Sequence, residues 1–177
     1  MGRARPAGHR RATARYFSDF TDWEPLDERA ERALAGRFAA WLRAQRTAAE
    51  ANGETLRAFH WSHPEWSKLH SILGTAEVDD LTNPDTGVFV DVEKVFKAHF
   101  TSLRGSGIKK VAPLFGFRWR VDDPGGAVSQ TYLAKVHTAT DANDVAAAKQ
   151  WLLSYNEDDA AAMAAIRDGM RTWRPSD

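Results

Sequence analysis

The residues of this chain best suited to chemistry are a tyrosine and an aspartate near its C-terminal end. Tyr155 and Asp159 are four residues apart, so on a helix they share one face. A carboxylate one turn from a phenol suits metal-dependent hydrolysis, in which one group holds a cation and the other orients the attacking water. The alternative is an ordinary helix start, with Asn156 as its cap and Glu157 and Asp158 beside the positive end of the helix dipole.

A second candidate site lies where a short aromatic segment, 56–61, gives way to a helix that begins at Pro64. We predict that this segment is a buried strand, and residues at such strand ends are well placed to line a cleft. Glu65 is a candidate metal ligand, and His60 a candidate contact for a phosphate or for the water at the scissile bond. The alternative is a helix-start glutamate beside a core histidine. A zinc site at His60 and His63 is not favoured, because no further ligands follow at zinc-like spacing.

A third candidate site is the loop 104–107 and the lysines that follow it. A Gly/Ser loop that opens a helix can present backbone N–H groups to a phosphate, and Lys109 and Lys110 would add charge. The segment is not a P-loop, because the Gly-Lys-Ser/Thr ending is missing. The alternative is a solvated turn.

Composition limits the function classes. Lys plus Arg equals Asp plus Glu, so the chain as a whole is not a basic nucleic-acid binder. The absence of cysteine excludes disulfides, thiolate zinc sites and cysteine nucleophiles. No apolar run is long enough to cross a membrane and no secretory signal is present, which predicts a cytoplasmic protein without a membrane partner. One basic cluster contains no acid, and consists of Arg104, Lys109, Lys110, Arg118 and Arg120.

The element pattern predicts a disordered basic tail over residues 1–15 and one mostly helical domain over residues 16–174. Extended structure is predicted only at 56–61 and 88–92. A lone strand cannot satisfy its own backbone, so we expect either additional strands or a sheet completed outside this chain. Helices are predicted over 27–51, from 64 to 73, from 95 to 100, and over 108–115, 127–136, 142–153 and 156–172.

Taken in order, these segments resemble the DEDD-type, RNase H-fold exonucleases, which are the DnaQ-like 3′–5′ exonucleases, in their tyrosine variant. The closer resemblance is to the exonuclease-like domain at the C-terminal end of bacterial RecB-like nuclease proteins, and it covers residues 16–173. The matching segments are His60 to Glu65 for the second acidic motif, Val90-Asp91-Val92 after it, Gly105 to Gly116 for the Gly-Ser segment, and Tyr155 to Asp159 for the third acidic motif.

The resemblance implies an α/β fold of the RNase H type and two-metal hydrolysis of DNA or RNA with Mg²⁺ or Mn²⁺. Asp159 and Glu65 would be metal ligands, and Tyr155 would orient or help deprotonate the attacking water. Ser106 and Lys109 would steady a backbone phosphate. The other expected nucleic-acid contacts are His60, Lys110 and Arg104.

The chain also departs from this family. DEDD enzymes begin with an Asp-x-Glu pair on the first strand of the sheet, and no strand here carries one. Asp22 and Glu24 have the spacing but lie in a polar segment, which we interpret as a linker before the first helix. We therefore expect an N-terminally truncated domain, from a longer protein that carries the RecB-like nuclease or helicase region, with reduced or absent activity. The alternatives are a non-catalytic remnant that binds nucleic acid, and a helical interaction module.

Overall fold

The computed structural model describes residues 20–62 and 64–173. The predicted tail over 1–15 lies outside these residues, as does His63. No helix in the described part is both long and apolar enough to cross a membrane. The helices are α1 (Glu28–Ala51), α2 (Pro64–Leu73), α3 (Thr75–Thr82), α4 (Val92–His99), α5 (Ile108–Val111), α6 (Gly126–Thr138) and α7 (Ala142–Thr172), with a 3-10 turn at Ala112–Phe115; the strands are β1 (Ala58–His60) and β2 (Phe89–Asp91).

Helix α1 forms as its sequence predicts. The Asp27 carboxylate caps its first turn by accepting a hydrogen bond from the backbone N–H of Ala30 at 2.7 Å. The helix ends at Ala51 with Asn52 as its C-cap, and Gly53 follows with a φ of 69°, a conformation that glycine adopts without strain. The helical spacing of Leu34, Phe38, Trp41 and Leu42 predicts one apolar stripe on this helix, and Leu42 on that stripe is buried.

Strands β1 and β2 pair in parallel, with His60 opposite Asp91. Both predicted strands are confirmed, although each is shorter than the predicted segment. Helices α2 and α3 connect them, and the sequence prediction missed α3. Because the strands are parallel, their carboxyl ends meet at one edge, which brings the starts of α2 and α4 together.

Side chains on the two faces of this small sheet enter different parts of the core. Ala58 packs against α1, α2 and α3, whereas the next residue, Phe59, packs against the cluster that α4, α5 and α7 share. This alternation follows from the two-residue period of a strand. The predicted α/β class and the predominance of helix are therefore confirmed. The largest fully buried side chains of the described residues are Leu81, Ile166, Val78, Val92 and Val111.

Helix α7 is continuous from Ala142 to Thr172, so the prediction of two helices that meet near residue 155 is wrong. Asp141 caps its start, and Asn156 lies inside it and is not a cap. Stacking of Trp151 on Tyr155, with ring centroids 5.2 Å apart, accompanies the unbroken helix. The segment that carries Tyr155 and Asp159 is thus held rigidly in the middle of a long helix.

Two helical glycines have different surroundings, which predicts opposite effects for the same substitution. At Gly36 in α1 an added Cβ would meet nothing within 4 Å, so Gly36→Ala should stabilise the fold by about 0.5–1 kcal/mol. At Gly169 in α7 it would overlap the Phe115 ring, with Cγ only 2.9 Å away. Gly169→Ala should therefore destabilise the fold by about 1–3 kcal/mol. Urea denaturation measures both, and equal stabilisation by the two changes would contradict the packing of Phe115 on α7.

Candidate functional site

A cavity of about 940 Å³ lies between the carboxyl edge of the sheet and helix α7. Glu65, from the first turn of α2, and Asp159, from the middle of α7, both line it. Phe59 and Trp61 form part of its apolar wall. The two acids that the sequence singled out therefore line one cavity.

Glu65 is half exposed, with 52% of its side chain accessible, and its surroundings raise its pKa. Partial burial raises the pKa of Glu65, and the negative charges of Asp91 and Asp159 raise it further. His60 opposes this shift, since its Nδ1 lies 3.8 Å from the Glu65 carboxylate. A carboxyl group with a raised pKa can exchange protons closer to neutral pH than an ordinary glutamate.

His60 is 3% exposed and its Nδ1 has no hydrogen-bond partner. Its ring packs edge-on against Phe89, and it faces a second cavity that Asp91 and Lys94 also line. The structure therefore places His60 behind Glu65, in contact with that carboxylate, and not in the wall of the main cavity.

Asp159 is surrounded by three side chains. Lys109 forms an ion pair with its Oδ1, and the indole Nε1–H of Trp119 donates to the same oxygen at 2.8 Å. Tyr155, one turn earlier, also hydrogen-bonds to it. The prediction that Tyr155 and Asp159 share a helix face is confirmed by this contact. Lys109 reaches Asp159, although the sequence assigned it to a phosphate.

The Lys109 ammonium lies between two aromatic faces, 4.3 Å from the centroid of Trp119 and 4.4 Å from that of Tyr155. Burial lowers the pKa of Lys109, and the hydrogen bond and charge of Asp159 oppose that change. Lys109 is thus a partly desolvated cation beside the cavity.

Tyr155 has a pKa raised to about 12, first by burial and then by the charge and hydrogen bond of Asp159. At neutral pH the phenol is protonated. It can therefore orient a neighbouring group by donating a hydrogen bond, but it cannot act as the base that takes a proton from water. Because this pKa exceeds the unfolded value of about 10, its contribution to stability is complete below pH ~10 and is lost as the pH rises toward 12.

Spectrophotometric titration checks this pKa. The chain has three tyrosines, and we expect one phenolate transition near pH 12 that disappears in Tyr155→Phe. Tyr132→Phe is the control, and it should leave that transition in place. Loss of the late transition in the control, with none lost in Tyr155→Phe, would contradict the assignment.

Asp158 is the buried acid of this segment, with 3% of the residue exposed. It accepts hydrogen bonds from the backbone N–H of Arg120 at 2.6 Å and from its Nε at 2.7 Å. Glu157 accepts from the same guanidinium at 2.9 Å. These bonds attach the segment that carries Trp119 to α7. The sequence analysis did not predict this role. Its only indication in the sequence was an arginine in the acid-free basic cluster and a separate run of acids at residues 157–159.

Hydrogen bonds hold the Gly-Ser loop, residues 104–107, against residues that follow β1 and β2. The Ser106 hydroxyl donates to Glu93 at 2.7 Å, and the Ser106 carbonyl accepts from the Trp61 indole at 3.0 Å. The hydroxyl expected to steady a phosphate is therefore engaged with a carboxylate. Trp61, the residue after β1, and Glu93, in the first turn of α4, were not predicted as site residues.

The remaining predicted residues do not line the cavity. Arg104 is exposed in the loop before α5, and Lys110 is exposed within α5. Asp22 and Glu24 lie outside helix and strand, and the backbone N–H of Glu24 donates to the Asp22 carboxylate at 3.2 Å. Both precede α1, and their interpretation as a linker stays a prediction.

Comparison with known proteins gives one family. The RNase_H_2 family model, described as belonging to the RNase H superfamily, matches residues 9–171. No curated protein and no solved structure matched the chain.

Proposed function

Because this chain belongs to the RNase H superfamily, we propose that it acts on nucleic acid as a nuclease domain that hydrolyses phosphodiester bonds. The observation that carries the proposal is the convergence of Glu65 and Asp159 on one cavity at the carboxyl edge of the parallel strands. We further propose cleavage from the 3′ end of a DNA or RNA strand, which is supported by the resemblance of the ordered motifs to DEDD-type exonucleases of RecB-like proteins.

Basic side chains on the chain segment around Lys109 support a phosphate-bearing substrate. Exposed basic side chains occur at Arg104, Lys110 and Arg118. They lie on the same chain segment as Lys109, which forms the ion pair with Asp159. A strand that lies across this segment would bring phosphates to cationic groups before the scissile bond reached the acids. Such contacts make binding depend steeply on salt concentration.

The resemblance also implies Mg²⁺ or Mn²⁺ at Asp159 and Glu65, and the described residues do not fit a pair of such ions as they are arranged. Lys109 and Trp119 both engage Oδ1 of Asp159. Within residues 20–62 and 64–173, no three histidine, aspartate or glutamate side chains gather where they could hold an ion. Dependence on a metal ion stays a prediction.

The chain's own side chains supply three parts of a hydrolysis. Glu65, with its raised pKa, accepts the proton of the water that attacks phosphorus. The Lys109 ammonium offsets negative charge on the phosphate as the bond to the leaving oxygen breaks. The protonated phenol of Tyr155 holds the Asp159 carboxylate in its orientation toward the cavity. The leaving oxygen takes a proton from solvent water, and the proton that Glu65 accepted returns to solvent and neutralises the hydroxide so formed.

A second candidate function is binding of single-stranded nucleic acid without cleavage. The ion pair between Lys109 and Asp159 favours it, because a neutralised carboxylate is a weaker ligand and a weaker base. In this case binding would weaken with salt and be insensitive to divalent ions.

The test is a cleavage and binding assay on single-stranded DNA and RNA labelled at either end, with Mg²⁺, with Mn²⁺ and with EDTA. The nuclease proposal predicts progressive shortening of 5′-labelled strands and release of single nucleotides from 3′-labelled ones. Salt-dependent binding with intact strands in every condition would reject hydrolysis and support the binding function. Absence of both would reject the two proposals together.

A further inference from the structure

We propose that Lys109 is the resident cation of Asp159, in the position beside the third acidic motif that the resemblance gives to a divalent ion. This inference rests on the proposed function only for the assignment of Asp159 to the site. It concerns which cation that carboxylate binds, and it follows from contacts of the described residues.

The ammonium group of Lys109 is enclosed by one carboxylate and two aromatic rings. Lys109 pairs with Asp159 and is flanked by the ring faces of Trp119 and Tyr155 at 4.3 and 4.4 Å. An aromatic face attracts a cation, most strongly when water is partly excluded. The Lys109 side chain is only 28% exposed and that of Asp159 31%, so solvent screens the pair incompletely.

The residues that enclose Lys109 lie on α7 or are themselves hydrogen-bonded to it. Trp119 binds both members of the pair, since its ring contacts the ammonium while its Nε1–H donates to Asp159. The next residue, Arg120, is attached to buried Asp158 through its backbone N–H and its guanidinium. Lys109 is therefore held by elements that are themselves anchored on α7.

The positive charge of Lys109 disfavours a second cation at Asp159. An ammonium and a divalent ion at the same carboxylate would repel each other strongly in a partly desolvated site. A divalent ion at Asp159 would have to displace Lys109 and forgo its contacts with both rings. We therefore expect Asp159 to bind divalent ions weakly, and Lys109 to present its remaining N–H donors to a phosphate.

The test measures Mn²⁺ binding to the full chain by electron paramagnetic resonance of the free ion, without nucleic acid. Lys109→Met removes the charge and keeps a long side chain between the rings. We expect it to bind Mn²⁺ at least about tenfold more tightly than the unsubstituted chain, a gain of the size that loss of one nearby like charge produces. The gain should disappear when Asp159→Asn is added. Lys110→Met, the exposed neighbour, is the matched control and should show no gain.

Two results would overturn the inference: tight Mn²⁺ binding by the unsubstituted chain that Asp159→Asn abolishes, or no gain in a folded Lys109→Met. If Lys109→Met fails to fold, comparison of the unsubstituted chain with Asp159→Asn decides the matter alone. Equal, weak Mn²⁺ binding by those two chains supports the inference. Because no nucleic acid is present, failure of the proposed nuclease function leaves this result unchanged.

Discussion

Asp159→Asn should lower the rate of oligonucleotide cleavage by at least about a hundredfold, as expected when a charged group at a reaction centre is neutralised. The substitution keeps the shape of the side chain but removes the charge that pairs with Lys109 and hydrogen-bonds Tyr155. Lys109 would then lie between its rings without a counter-ion. Initial rates on single-stranded DNA and RNA measure the effect.

The matched control is Asp144→Asn, which neutralises an exposed acid in the first turn of the same helix. It should leave the rate within about a factor of two, because charge at an exposed surface away from the cavity contributes little. Circular dichroism of both variants checks that helix α7 is intact. Equal rates for Asp159→Asn and the unsubstituted chain would remove Asp159 from the proposed chemistry.

Asp158→Ala should cost about 2–3 kcal/mol of unfolding free energy, because it removes charged hydrogen bonds and leaves the backbone N–H of Arg120 without its acceptor. For a chain of this size that loss lowers the melting temperature by roughly 5–10 °C. Thermal denaturation followed by circular dichroism measures it. The loss should also loosen Trp119, which is seen as a change in indole fluorescence.

Glu157→Ala provides the comparison for this stability effect. It removes one ion pair to the same guanidinium from a carboxylate that is 26% exposed, so its cost should be below about 1 kcal/mol. A cost for Glu157→Ala equal to that of Asp158→Ala would contradict the structural role assigned to the buried acid. Cleavage should fall further in Asp158→Ala, since the wall of the Lys109 enclosure depends on it.

Local spacing was enough to predict much of the fold. The apolar stripe predicted α1, and the four-residue separation placed Tyr155 and Asp159 on one helix face. These features depend on backbone geometry that neighbours in sequence decide. The break predicted at Asn156 was wrong because tertiary packing overrides the weak helix preference of a single asparagine.

The partners of the site residues could not be predicted in the same way. Lys109 meets Asp159, and Arg120 meets Asp158, across long stretches of chain whose meeting depends on how α5 and the 3-10 turn dock on α7. Spacing carries no information about such docking. The resemblance placed Lys109 near a phosphate, whereas its nearest anion in the fold is a carboxylate.

The central claim, that the cavity between the sheet edge and α7 hydrolyses phosphodiester bonds, is tested most directly by isotope transfer from water. Single-stranded DNA and RNA are incubated with the full chain in water enriched in oxygen-18, and the products are examined by mass spectrometry. We predict one heavy oxygen in each newly formed phosphate monoester, with the labelled product lost in Asp159→Asn. Unlabelled strands of full length, or labelled product that persists unchanged in Asp159→Asn, would contradict the claim.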